Sequence, residues 1–402
     1  MAAVTPSAVR GVVLSTGRTV AGLACSPGEV LFLGRPNADR QERALLGGGA
    51  RPGEDDPRLE RIVLLDDVAL LPGAVRAALL VGRREGRGVA LKPCGELARF
   101  LEESTFGRRG PLIAYLPPGE PAVPAVLEAL PEMELPVRER LLDMPVHRTQ
   151  FGADLVQVPL SDQLIFPVGH WLQVLWANLL GLGPFLWQEL AGRTASQVVF
   201  NLAWAWFGCW STDPRSLAAQ LRKRGRGCRI HPSAVVEGCW LGDAVEIGAN
   251  AVVRGCVLGD GARVEELAVA DFSVLGRQAV IQRQALVRFC LLERGSTCAG
   301  QMQLGVLGAE AALKHGATLM DINYAQGVRV MAEGALHPAP LGIAGVCVGP
   351  RTIVGSGLKI ASGRTVPPDL VVLPAPSGVL ARIPEPCASG HYQVVDGGLE
   401  RA

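Results

Sequence analysis

Residues 230–298 read IHPSAVVEGCWLGDAVEIGANAVVRGCVLGDGARVEELAVADFSVLGRQAVIQRQALVRFCLLERGSTC, and a period of 17 residues runs through them. Leu241, Leu258, Leu275 and Leu292 form one column, and Gly242, Gly259 and Gly276 follow the first three. Ile230, Ile247, Val264, Ile281 and Cys298 form a second column. Ala234, Ala251, Ala268 and Ala285 form a third, and Val236, Val253, Ala270 and Val287 a fourth. An aliphatic residue every five or six positions, with a small residue four later, is a solenoid signal. It suits a triangular coil with one short strand per face. A helix needs apolar positions at spacings of three and four, which these columns do not have. Cys239, Cys256, Ser273 and Cys290 share one further column. With neighbouring strands about 4.8 Å apart, they stack as a ladder of small core side chains.

The columns resemble the hexapeptide repeat of left-handed parallel β-helix proteins, a family rich in acyltransferases and also fused to sugar nucleotidyltransferases. The handedness is what the resemblance implies, because ordinary parallel crossovers are right-handed. The resemblance also implies a histidine general base in a cleft between subunits of a trimer. Such a base deprotonates a sugar hydroxyl or amine that attacks acetyl-CoA or another acyl donor. The repeat falters after Cys298, and residues 301–340 read as an excursion from the coil. His315 lies there, with Lys314 beside it and Asp321 six residues on. It is the candidate base, with Asp321 as its carboxylate, and the plain alternative is an exposed loop histidine. His231, beside Pro232, reads as an edge turn. His147 and His170 fall outside the repeat, and His337 and His391 have no evident partner. Val348, Val354, Ile360, Val366 and Val372 resume the hexads, and Pro367, Pro368 and Pro374 close the solenoid.

The 402 residues suggest about two or three domains, and 49% hydrophobic residues provide for sizeable cores. A net charge of +1 argues against general electrostatic binding of nucleic acid. The first residues, MAAVTPSAVRGVVLSTGR, contain no long apolar run of the secretory kind. Ten cysteines occur without a C-x-x-C pair, which argues against a zinc or redox motif and suits a cytoplasmic, reducing compartment.

Residues 1–150 alternate short apolar runs with helical spacings, which predicts an α/β domain with a mostly parallel sheet. Val12–Leu14 leads into Ser15, Thr16 and Gly17; Val30–Leu33 leads into Gly34, Arg35 and Pro36; Ile62–Leu65 ends in Asp66 and Asp67. This order resembles, more weakly, the nucleotidyltransferase domain of sugar-nucleotide pyrophosphorylases. The resemblance implies that Gly17 and Arg18 are the remnant of a phosphate-cradling loop. It places Arg35 near the family's lysine and Asp66 or Asp67 at the carboxylate that holds Mg²⁺. The family's loop is richer in glycine, and arginine is not lysine at a phosphate. A degenerate, structural domain is therefore an equal expectation. Asp66 and Asp67 also read as a solvated strand end or a helix cap. Arg138–Asp143 reads as helical, and Phe151–Leu164 as a strand or hairpin.

Residues 151–227 form a linker. Six of the seven tryptophans lie between Trp171 and Trp210, and residues 194–212 are 19 uncharged positions in a row. Trp171, Leu175, Asn178, Leu179 and Leu182 have helical spacing. His170 to Asn178 is similar to a linker helix that follows the catalytic domain in pyrophosphorylases. Asp213 and Pro214 read as the cap and first position of a short helix. The basic run Arg222-Lys223-Arg224-Gly225-Arg226 comes next. Three readings stay open for 166–226: helices buried between domains or against another subunit, a peripheral membrane contact, or a membrane span. Residues 228–380 form the β-helix, and 381–402 a loosely ordered tail.

The fold expected is thus an α/β N-terminal domain plus an all-β C-terminal domain, a left-handed parallel β-helix, joined by a Trp-rich helical linker. The function expected is a transferase of sugar-nucleotide or polysaccharide-precursor metabolism, with a sugar phosphate or nucleotide as small-molecule partner. A hexapeptide acyltransferase and a non-catalytic scaffold are the alternatives. The chain is expected to form a homo-oligomer, a trimer by resemblance.

Overall fold

The computed structural model describes residues 9–401, apart from 105, 107–110, 146–154, 193–194, 211–216, 218–219, 324–325, 376–391 and 397. The expectations at His147, His391 and the Asp213–Pro214 cap fall outside these residues.

The first domain is built on a six-stranded sheet in the order Arg51–Pro52, Arg10–Leu14, Arg61–Leu65, Ile113–Leu116, Val89–Cys94, Glu132–Pro136. Strand alternation sends Ile62, Leu64, Ile113 and Tyr115 into a core beneath the helices Asn37–Gly48 and Pro72–Glu85, and Val63, Ala114 and Leu116 into a smaller core on the other face. The expected mostly parallel sheet holds for three of the five pairings and fails at the centre. Ile113–Leu116 runs antiparallel to both of its neighbours. A short apolar run fixes burial, but it carries no information about direction. The helix expected at Arg138–Asp143 is instead the strand Arg140–Pro145, paired antiparallel with Leu155–Leu160. Its cross-strand partner decides its conformation over local spacing.

The second domain is a left-handed β-helix of three parallel sheets with eight, eight and seven strands. In the first coils partners lie 17 residues apart, as in Trp240↔Val257↔Val274↔Leu291. The columns of leucine, isoleucine, valine and alanine fill its interior. The cysteine column is buried, and it also joins the coils: Cys290 N–H donates to Ser273 Oγ at 3.0 Å. Coils stack so closely that a Cβ at Gly259 would come 2.8 Å from the backbone nitrogen of Arg277.

The period falters at Cys298, where partners come to lie 15 residues apart, but the coil itself continues. Ala312–Leu313 and Thr318–Leu319 are ordinary rungs, paired with Ile353–Val354 and Lys359–Ile360. The excursion therefore starts after Leu319, and it carries the hairpin Arg329–Ala332 and Ala335–Pro338. In the tail, Tyr392–Val395 and Gly398–Arg401 form a hairpin in place of the expected loose end.

The helix Trp171–Leu186 joins the two domains. His170 caps it: Leu172 N–H donates to His170 Nδ1, and His170 N–H donates to the Gln173 side chain. Trp171, Trp176 and Leu175 share one core with Leu23, Leu31 and Phe32 of the first domain and with Val257, Val274 and Leu291 of the coil. Among the described residues, no helix is long and apolar enough to cross a membrane.

Candidate functional site

The connection leading from the first strand to the helix Asn37–Gly48 meets the β-helix at Leu31 and Gly34. Asn178 holds it by accepting from Leu33 N–H and donating to Leu31 O, both at 2.8 Å. Gly34 has φ +85°, and a Cβ there would lie 2.6 Å from Val257 Cγ1, so only glycine allows this approach. The corner of the coil facing this connection carries Asp243, Asp260, Arg277 and Arg294 at intervals of 17.

A cleft of about 840 Å³ opens between connection and corner. Its walls include Cys25, Glu29, Arg35, Trp240, Arg277 and Glu293. A second cleft of about 620 Å³ adjoins it, sharing Arg35 and Trp240 and adding Arg40, Arg43 and Lys223. Several charges here are already committed. Arg294 pairs with Glu310 and Arg351 with Asp369. Glu29 is held by Ser26, whose hydrogen bonds lower its pKa. Asp260 accepts from Asp243 N–H at 2.8 Å. Arg40 donates to Phe32 O and Leu33 O and lies over the Phe185 ring, and burial brings its pKa down to about 9. The guanidiniums of Arg35 and Arg277 pair with no carboxylate among the described residues.

Glu293 occupies the position where earlier coils have Gly242, Gly259 and Gly276. It is buried, accepts from Leu31 N–H at 2.8 Å, and thereby ties the coil to the connection. Burial pushes its carboxyl up to about 7, against which the Leu31 hydrogen bond and the charge of Arg294 act. Burial also pushes the Cys25 thiol up, to about 12, which disfavours its thiolate form.

The structure brings some of the expected site residues together and separates others. Ser15 Oγ, Thr16 N–H and Thr16 Oγ1 all donate to Asp66, at 2.9, 3.0 and 2.7 Å. Gly17 and Arg18 lie exposed in the same loop. Asp67, next to it, is buried. Arg35 stands in the cleft against the coil, whose walls include none of Gly17, Arg18, Asp66 and Asp67. Magnesium takes several oxygen ligands. Asp66 spends both carboxylate oxygens on its loop, and among the described residues no group of three His, Cys, Asp or Glu could hold a metal ion. Both Asp66 oxygens are thus engaged within their own loop, apart from the cleft that holds Arg35.

His315 is exposed at a corner of a regular coil, where its carbonyl accepts from Gly357 N–H. Asp321 lies beyond the strand Thr318–Leu319, at the start of the excursion, and burial raises its pKa. Neither lines the two clefts.

Trp240, Arg277 and Glu293 did not stand out as site residues in the sequence. Each departs from its own column: Trp240 among Val257, Val274 and Leu291, Arg277 after two aspartates, and Glu293 among glycines. A departure from a structural period was the available signal.

No family model matches the chain, and no curated protein does. Among solved structures, the chain is similar to a Bacillus cereus protein titled as a candidate acetyltransferase. The identity is 15% and the TM-score 0.21, over 38% of this chain and 74% of that one. A likeness of this size carries no argument about chemistry.

Proposed function

We propose that the chain is a transferase-type protein that binds a nucleotide-bearing small molecule in the cleft between its domains. The observation that carries this reading is the pair of uncommitted guanidiniums, Arg35 and Arg277, on a cleft that also presents the Trp240 ring. Guanidinium forks suit phosphate oxygens, and an indole face suits a planar base. A sugar nucleotide and a coenzyme A thioester share this chemistry. Arg35 and Arg277 would hold the phosphates and Trp240 the base. Acyl transfer would need its base elsewhere, and His315, exposed on the coil, is the residue proposed for it.

The test is calorimetric titration of coenzyme A and of a UDP-sugar into the wild-type chain and into Arg35→Ala/Arg277→Ala. Binding of one ligand class, weakened about 10- to 100-fold in the double variant, supports the proposal. Absence of binding by both ligands, or equal affinity in the variant, overturns it. Acetyl transfer lost in His315→Ala with ligand affinity kept would assign His315 as the base.

A further inference from the structure

The helix Ala195–Cys209 is apolar on both sides. At about 100° per residue, the half-buried Val198, Asn201 and Leu202 and the buried Ala205 fall on one arc. This arc faces the protein: Asn201 donates to Leu190 O and Ala191 O, and Leu202 lines a small apolar hollow with Trp187, Leu190 and Leu221. The opposite arc carries Val199, Phe200, Ala203, Trp204, Trp206 and Phe207, all exposed. Phe200 is 67% exposed, Trp204 72%, and Trp210 just beyond 73%. Surface helices place charged and polar residues on that side. Here no charged residue occurs from 194 to 212.

The basic run begins where this helix rests. Leu221 shares the hollow with Leu202, and Lys223 pairs with Glu189 at 2.7 Å. Arg222, Lys223, Arg224, Arg226 and Arg229 are exposed, and no acidic residue occurs in the sequence between Asp213 and Glu237. Arg226 and Arg229 each meet one carboxylate of the next coil, whereas Arg222 and Arg224 meet none among the described residues.

We infer that this arc and the basic run dock on an anionic lipid surface. The helix has 15 residues. It is therefore about 22 Å long against about 30 Å of hydrocarbon, so it lies in the plane of the interface. Tryptophan and phenylalanine favour that depth, and the arginines meet the headgroups. The protein itself covers the helix's other arc, which in a free interfacial helix would be polar. Positive charge beside the apolar arc favours anionic lipid over a second copy of the chain, whose own basic run would repel it.

Sedimentation with phosphatidylcholine vesicles, with and without phosphatidylserine, tests this. The wild-type chain is expected to bind the phosphatidylserine vesicles and to release as salt is raised. Trp204→Ser/Phe207→Ser should weaken binding about 100-fold, with far-UV circular dichroism and melting midpoint unchanged. Arg222→Gln/Arg224→Gln should weaken it less, and only on charged vesicles. No binding by the wild-type chain, or equal binding by Trp204→Ser/Phe207→Ser, overturns the inference. So does sedimentation velocity showing a dimer that those same substitutions dissociate.

Discussion

Two apolar, tryptophan-bearing helices follow one another in this chain and meet opposite fates. In Trp171–Leu186 nearly every residue is buried, and Trp171 is wholly so. In Ala195–Cys209 the aromatic residues face outward. Composition does not separate them, because neither contains a charged residue. The partner each one finds does. The first packs on two surfaces at once, the connection Leu23–Leu33 and the coil face of Val257, Val274 and Leu291. Among the described residues, the second rests on the turn Trp187–Ala191 and on the hollow at Leu221. The first helix thereby shapes the cleft through Asn178, while the second leaves a surface free.

Substitution by alanine should divide the two helices most sharply. Trp171→Ala removes a buried ring from the shared core and should cost about 3–5 kcal/mol. Trp204→Ala removes an exposed ring and should stay within about 0.5 kcal/mol. Denaturant unfolding of the two variants measures both, and similar losses would break the comparison.

A smaller, pH-dependent effect should appear at Glu293, whose tie to Leu31 holds the connection in place beside the first helix. Its carboxyl is raised from 4.5 to about 7. Between those values the folded chain keeps the proton and the unfolded chain releases it, so this group's contribution to stability falls as pH rises. Glu293→Gln keeps an acceptor for Leu31 N–H and removes the ionisation. Relative to wild type it should gain stability from pH 4.5 to 7, by on the order of 1–3 kcal/mol, and then level off. His170 acts in the opposite sense. Burial lowers its pKa from 6.5 to about 4, so its contribution is full above 6.5 and is lost as pH falls towards 4. The difference between wild type and variant isolates Glu293 from it. A difference independent of pH would mean that Glu293 is ionised in the fold.

The β-helix was legible because each column meets the same neighbour in every coil, and Leu241, Leu258, Leu275 and Leu292 fill one continuous interior. The first domain was legible as elements but not as a sheet. Ile113–Leu116 reads the same in either direction, and only its partners Arg61–Leu65 and Val89–Cys94 make it antiparallel. The site was least legible. Arg35 was visible from its Gly-Arg-Pro setting, but its companions Trp240 and Arg277 come from the far domain, more than 200 residues away in sequence. Asp66 looked like a metal carboxylate, and Ser15 and Thr16, which satisfy it, stand 50 or so residues earlier.

The division between the two helices is tested most directly by amide hydrogen exchange, followed with and without phosphatidylserine vesicles. Peptides from 171–186 should exchange only through global unfolding in both conditions. Peptides from 195–209 should exchange much faster in solution and become protected when vesicles are added. Equal protection of the two helices in solution, or exchange at 195–209 that vesicles leave unchanged, would contradict the account.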